Sequence, residues 1–206
     1  MKSALIADDH PVVLGALKIL LTQEGFQPIF EASKGNEVIP MIREHQPKVV
    51  VLDLDMPEMP GLDVLDRIYA NEMQCQVVVF TSLERIYYQE RCMRAGASAY
   101  VSKSNDLQHL QKALRAVMNG YTYFQSLPSV ALSSLQLSEK QMIESLSNRE
   151  LTICRYLAHG MSNKAIAELM HLSHKTVSTY KTRLTEKLNV ESKVHLRDFA
   201  KRNHLI

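Results

Sequence analysis

The run Val49-Val50-Val51-Leu52-Asp53 reads as a strand with no polar side chain on either face and a carboxylate at its carboxyl end. Such a strand needs cover on both faces, which a parallel sheet wrapped by helices provides. Similar short apolar runs stand on either side of it: Leu5-Ile6-Ala7, Pro28-Ile29-Phe30, Val77-Val78-Val79-Phe80 and Ala99-Tyr100-Val101. Between them, residues 11–23, 35–45, 61–71, 84–95 and 106–119 carry apolar side chains at helical period, as in Leu107, Leu110, Leu114 and Val117. Five strand-helix units with right-handed crossovers predict an α/β domain over residues 1–120. Its sheet should be five-stranded, parallel, doubly wound and flavodoxin-like, with ligands beyond the carboxyl ends of the strands.

The residues expected at that edge share a chemistry. Asp8 and Asp9 end the first strand, Asp53 ends the third, Thr81 ends the fourth and Lys103 follows the fifth. One aspartate at a strand end is ordinarily a solvated turn residue, but five such positions on converging segments describe a site. Three neighbouring carboxylates repel unless a cation neutralises them, and an all-oxygen set suits Mg²⁺. With that charge neutralised, Asp53 can attack a phosphoryl donor, while the Thr81 hydroxyl and the Lys103 ammonium meet the remaining phosphoryl oxygens.

Asp8-Asp9-His10-Pro11, Asp53-Leu54-Asp55-Met56-Pro57 with Gly61, Thr81-Ser82 and Tyr100-Val101-Ser102-Lys103 resemble, in order and spacing, the receiver domain of response regulators over about residues 3–120. The resemblance implies that Asp53 is the phosphoacceptor and that Asp8, Asp9 and Asp53 hold Mg²⁺ with the backbone carbonyl of Asp55. It also implies that Thr81 and Tyr100 are switch residues. Ser104 departs from the proline that receivers often carry after the lysine. Asp53-Leu54-Asp55 is also similar to the D-x-D of haloacid-dehalogenase-type phosphohydrolases, though there the motif follows the first strand rather than the third.

Charge divides the chain. Residues 1–125 hold 12 Lys and Arg against 15 Asp and Glu, net −3, whereas residues 126–206 hold 12 against 7, net +5. Only the second part is suited to a polyanion. Cys75, Cys92 and Cys154 are an odd number without close pairs, which speaks against a disulfide framework or a zinc site and for reduced core thiols. No apolar run approaches the roughly 18 residues of a membrane span and no signal peptide is evident, so a soluble, cytoplasmic protein with no membrane partner is expected.

Residues 121–145 lose the helical period and gain Ser126, Pro128, Ser129, Ser133, Ser134 and Ser138, as a linker with room for a short helix would. Residues 146–206 then show helices and no strands. Ser147-Asn148-Arg149-Glu150 is a capping box, Ser162, Ser173 and Ser192 are further N-cap candidates, and Gly160 closes the first of four helices. Two of these, about 162–170 and 174–189, have helix-turn-helix spacing. On the second, Val177, Tyr180, Leu184 and Leu188 form the apolar stripe, opposite Lys175, Ser178, Thr179 and Thr182. Small hydroxyls with a lysine at the N-terminal end suit a major groove, and they suit plain solvent as well.

Leu146-Ser147-Asn148-Arg149-Glu150, Gly160-Met161-Ser162-Asn163-Lys164 with Ile166-Ala167, Leu172-Ser173-His174-Lys175-Thr176-Val177-Ser178-Thr179-Tyr180-Lys181 and Lys187-Leu188 resemble the LuxR-type DNA-binding domain. Placed on that pattern, Ser178, Thr179 and Thr182 are base readers, and Lys164, Lys175, Thr176, Tyr180, Lys181 and Lys187 are phosphate contacts. Tyr180 in place of the usual His, Gly120-Tyr121-Thr122-Tyr123-Phe124 and Asp198-Phe199-Ala200-Lys201-Arg202-Asn203 are similar to the BvgA/EvgA branch of NarL/FixJ regulators. That likeness implies a hybrid sensor histidine kinase as partner and a homodimer on double-stranded DNA, paired through the last helix, about 192–203. RNA polymerase is a further partner open to such a regulator.

The expectation is a DNA-binding response regulator, catalytic only in its own phosphoryl transfer and dephosphorylation. Two alternatives stand beside it: a DNA-binding regulator independent of phosphorylation, and an aspartate-nucleophile phosphohydrolase.

Overall fold

A computed structural model describes residues 2–105, 107–126 and 134–206. Two compact units divide the chain, Met1–Leu127 and Pro128–Ile206. In the first, β1 (Ala4–Ala7), β2 (Ile29–Ala32), β3 (Val49–Leu52), β4 (Gln76–Thr81) and β5 (Ala99–Ser102) alternate with α1 (Pro11–Gln23), α2 (Gly35–His45), α3 (Gly61–Ala70), α4 (Arg85–Arg94) and α5 (Leu107–Met118). All strand pairs are parallel, in the order β2-β1-β3-β4-β5. The chain first moves outward from β1 to β2, then crosses back to β3, so the topological switch point lies between β1 and β3. Asp8 and Asp53 follow those two strands directly.

The expected strands form because their side chains have nowhere else to go. Val49, Val50, Val51 and Leu52 are all buried, as are Leu5, Ile6, Val77, Val78 and Val79. One face packs against α1 and α5 through Leu17, Leu21, Leu110 and Leu114. Gly61 opens α3 because only glycine fits there: a Cβ would lie 2.2 Å from the Asp53 carbonyl oxygen and 2.6 Å from the Leu54 Cα. The Gly61 amide donates to the Leu54 carbonyl at 2.9 Å, folding the loop after Asp53 over the strand end.

Part of the 121–145 stretch is tied to the first unit. Tyr123 lies parallel to Ala99 beside β5; its amide donates to Ser98 O at 2.9 Å, and its carbonyl accepts from the Tyr100 amide at 3.1 Å. Farther along, the Gln125 carbonyl accepts from Gln89 Nε2 at 2.9 Å, and its side chain meets Arg85 and His109. The segment thus acts as a short strap along the sheet edge. Pro128, Ser129 and Ser133 of the expected linker lie outside the described residues.

The second unit is helical throughout its described residues: α6 (Ser134–Glu144), α7 (Asn148–Ala158), α8 (Asn163–Leu169), α9 (His174–Leu188) and α10 (Lys193–Arg202). The four expected N-caps form. Ser147, Ser162, Ser173 and Ser192 accept from the amides of Glu150, Ala165, Thr176 and His195 at 3.0–3.2 Å, and Glu150 closes the box by accepting from the Ser147 amide at 2.8 Å. Gly160 takes a φ of 91°, the left-handed turn that ends α7. Leu151, Cys154, Ile166, Val177, Leu184, Leu196 and Phe199 build the core. Burial pushes the Cys154 thiol up to about 12, so it stays protonated as a core thiol.

α6 belongs to this unit by its contacts. Glu139 is buried and accepts from Arg202 at 2.5–3.3 Å and from Asn203 Nδ2 at 2.9 Å, clamping α6 to the end of α10.

Candidate functional site

The carboxyl edge of the sheet gathers four of the expected residues into one pocket. Asp8 and Asp53 are almost wholly buried, 1% and 2% exposed, while Asp9 keeps a third of its side chain in solvent. Lys103 Nζ lies 2.6 Å from Oδ2 of both Asp8 and Asp53. Burial works against its charge, but the Asp53 charge and the hydrogen bonds to Asp53 and Asp8 outweigh it and hold the ammonium above its ordinary pKa. Asp53 Oδ1 accepts from the Leu54 amide at 2.6 Å and the Asp55 amide at 3.2 Å, which leaves the carboxylate fixed at the head of its loop.

Asp8, Asp9, His10 and Asp53 each offer a ligand atom, all within 4.8 Å of one another. One ammonium cannot balance three carboxylates at that spacing. The hard oxygen donors of Asp8, Asp9 and Asp53 fit a hard divalent cation. His10 enters the cluster unforeseen, its Nδ1 2.8 Å from Asp9 Oδ1 and its amide 2.9 Å from Asp8 Oδ1. Its place directly after the Asp pair was the available signal.

Thr81 and Tyr100 stand behind the pocket. The Thr81 carbonyl accepts from the Lys103 amide at 2.7 Å, and its hydroxyl oxygen accepts from the Leu83 amide at 3.4 Å. Tyr100 is fully buried and donates its hydroxyl to Leu83 O at 2.8 Å. Burial, then the neighbouring Cys92, Tyr88, Glu84 and Asp53, push its phenol far above the ordinary value, so it remains a neutral donor. The Ser104 departure leaves a local bond, Ser102 Oγ to Ser104 Oγ at 2.8 Å.

In the second unit α8 and α9 are joined by residues 170–173, with His171 in the left-handed region at φ 52°. Val177, Leu184 and Leu188 bury one side of α9, with Tyr180 half-buried. Lys175, Ser178, Thr179 and Thr182 are exposed on the other, as is Lys164 on α8; Thr176 and Lys181 are half-buried at the flanks. Arg183, exposed on the same helix, was not singled out from sequence. Lys187 differs from the rest. Its ammonium donates to Glu150 Oε2 at 2.6 Å and Ser145 O at 3.1 Å, pinning the end of α9 to the first turn of α7. No local pattern shows a pairing across 37 residues.

Among the described residues no helix is long and apolar enough to cross a membrane. Residues 4–115 match the family model described as the response regulator receiver domain, and residues 144–200 match that of the bacterial regulatory proteins of the luxR family. The virulence regulator BvgA of Bordetella pertussis is 45% identical over 206 residues, covering 98% of this chain and 97% of its own. The DNA-binding transcriptional activator EvgA of Escherichia coli K12 is 34% identical over 203 residues, covering 98% and 99%. Among solved structures, RcsB of Salmonella enterica serovar Typhimurium, bound to a promoter in the presence of the phosphomimetic BeF3⁻, matches with a TM-score of 0.72 at 25% identity over 98% of each chain. With its acidic pocket in a receiver fold and its capped helix-turn-helix, the chain belongs to the NarL/FixJ family of DNA-binding response regulators of two-component systems.

Proposed function

We propose that a sensor histidine kinase, of the hybrid kind, phosphorylates Asp53 and thereby controls homodimerisation and promoter binding. One observation carries this reading: Asp8, Asp9, Asp53 and Lys103 form a single oppositely charged cluster at the topological switch point, with Asp8 and Asp53 buried. A packing or ligand module has no need of that costly arrangement.

In the transfer, a carboxylate oxygen of Asp53 attacks phosphorus and the phosphorus–nitrogen bond of the donor histidine breaks. The electron pair returns to the imidazole, which takes up a proton, and an acyl phosphate remains. Asp8, Asp9 and Asp53, with the backbone carbonyl of Asp55, would hold Mg²⁺, which neutralises the charge that otherwise opposes attack. Lys103, already between Asp8 and Asp53, meets a phosphoryl oxygen, and the Thr81 hydroxyl donates to another. Catalysis by the receiver is confined to gaining and hydrolysing its own phosphoryl group.

A continuous path of hydrogen bonds leads away from the pocket. Lys103 bonds Thr81, Thr81 bonds Leu83, Leu83 bonds Tyr100, and Tyr100 bonds Tyr123 of the strap. A new bond at Thr81 therefore bears on the segment that precedes the DNA-binding unit, and a two-state strap is the element the phosphoryl group biases.

On DNA, Ser178, Thr179 and Thr182 read bases, while Lys164, Lys175, Thr176, Tyr180 and Lys181 contact phosphates. Lys187 joins them only by giving up Glu150. Dimers pair through α10, whose Val194 is two-thirds exposed in register with Arg197, Asp198 and Lys201. The protein works in the cytoplasm, with RNA polymerase as a partner at its promoters.

Incubation with acetyl phosphate and Mg²⁺ should add one phosphoryl group to the wild type and none to Asp53→Asn, by intact mass. Labelling retained by the variant would move the acceptor elsewhere. Steady turnover of a generic phosphomonoester would favour the phosphohydrolase alternative.

A further inference from the structure

The exposed face of α9 lacks the side chains that make two-pronged contacts to adenine. Its exposed residues are His174, Lys175, Ser178, Thr179, Thr182, Arg183, Glu186 and Lys187, and the helix contains no Asn or Gln. Asn and Gln are the usual two-pronged readers of adenine, and Arg and Lys are those of guanine. Arg183 is set to the side of the row formed by Lys175, Thr179, Thr182 and Glu186, which a 3.6-residue period aligns opposite Val177 and Leu184.

The two threonines in that row have already used their only proton. Thr179 Oγ1 donates to the Lys175 carbonyl at 3.0 Å, and Thr182 Oγ1 donates to the Ser178 carbonyl at 3.2 Å. A hydroxyl has one proton and two lone pairs, so each side chain retains an acceptor and a γ-methyl for the groove. An A·T pair is complementary to that combination. In the major groove it displays the thymine C5-methyl and the adenine N6 amino donor, whereas a G·C pair displays no methyl.

Resting on the reading of α9 as the recognition helix, we propose that Thr179 and Thr182 recognise A·T pairs. Their γ-methyls pack against thymine C5-methyls, and their Oγ1 lone pairs accept from the adenine amino group. At the positions the two threonines face, sequence preference is then a preference for thymine methyl groups.

The test uses the full chain with acetyl phosphate and Mg²⁺. A duplex enriched by it from a random-sequence pool is synthesised once with thymine and once with deoxyuridine, which differs only by the methyl group. Wild type should bind the uracil duplex about fourfold more weakly for each contacted methyl removed, the factor that burying one such group contributes. Thr179→Ser and Thr182→Ser keep the hydroxyl and lose the methyl, so each should reduce that thymine-to-uracil ratio toward one. Equal binding of the two duplexes by wild type, or an unchanged ratio in both serine variants, overturns the proposal while leaving α9 as the recognition helix. If no sequence is enriched from the pool, the recognition-helix reading itself fails, and the proposal with it.

Discussion

The backbone amide of Tyr100 donates to the carbonyl of Tyr123 at 3.1 Å, so the strand that carries this buried tyrosine is bonded directly to the strap leading out of the receiver. The Tyr100 side chain bonds Leu83 from the same residue. Amide hydrogen exchange over residues 121–126 should therefore change when acetyl phosphate and Mg²⁺ are added to the wild type, and should stay constant in Asp53→Asn. Identical exchange in both proteins with and without phosphodonor would remove the strap from the signalling route.

Gly61→Ala should damage the pocket from outside it. The new methyl would collide with backbone at Asp53 and Leu54, and backbone at a strand end does not move aside cheaply. A loss of about 1–3 kcal/mol from the receiver is expected from such overpacking, together with slower phosphoryl uptake. Urea unfolding and intact mass measure the two effects, and wild-type values for both would contradict the packing described.

Glu139 makes the stability of the DNA-binding unit depend on acid. The hydrogen bonds from Arg202 hold its carboxyl below the usual glutamate value; burial opposes them, and Asn203 adds to them. A depressed folded-state pKa means the stabilisation is complete above the ordinary value of 4.5 and is lost as pH falls through the lower, folded value. Glu139→Gln should abolish that part of the acid sensitivity and cost about 1–2 kcal/mol at neutral pH, a modest figure because the Arg202 guanidinium is half in solvent. Thermal unfolding between pH 3 and 7 is the measurement; parallel profiles for the two proteins would deny the clamp.

Lysines that look alike in sequence should behave differently. Lys164→Ala, Lys175→Ala and Lys181→Ala should each lower the salt dependence of DNA binding by about one unit of log–log slope, with little effect on stability. Lys187→Ala should instead destabilise the domain, because it leaves the buried Glu150 carboxylate without its ammonium. A full unit of slope lost from Lys187→Ala without loss of stability would return it to the phosphate-contact set.

What could be read in advance follows the range of the interactions. The five strands and the four serine caps are local patterns, each fixed by a few neighbouring residues. The doubly wound order and the carboxyl-edge cluster follow from the strand-helix repeat, which brings the strand ends at Asp8, Asp53, Thr81 and Lys103 to one edge. Side-chain and strap pairings outside that repeat leave no such trace. Glu139 with Arg202, Lys187 with Glu150 and Tyr123 beside Ala99 join residues 63, 37 and 24 positions apart, so α6 reads only as a short helix that a linker has room for, and the strap as linker. His10 was legible as a neighbour of the Asp pair but not as a member of it, since its contact with Asp9 depends on how the chain turns after β1.

The central claim is that a phosphoryl group on Asp53 governs DNA binding, and fluorescence anisotropy on a duplex enriched by the full chain tests it most directly. Acetyl phosphate with Mg²⁺ should tighten binding by the wild type and leave Asp53→Asn unchanged. Equal affinity of the two proteins under all conditions would leave the helix-turn-helix in place and contradict control of binding by phosphorylation.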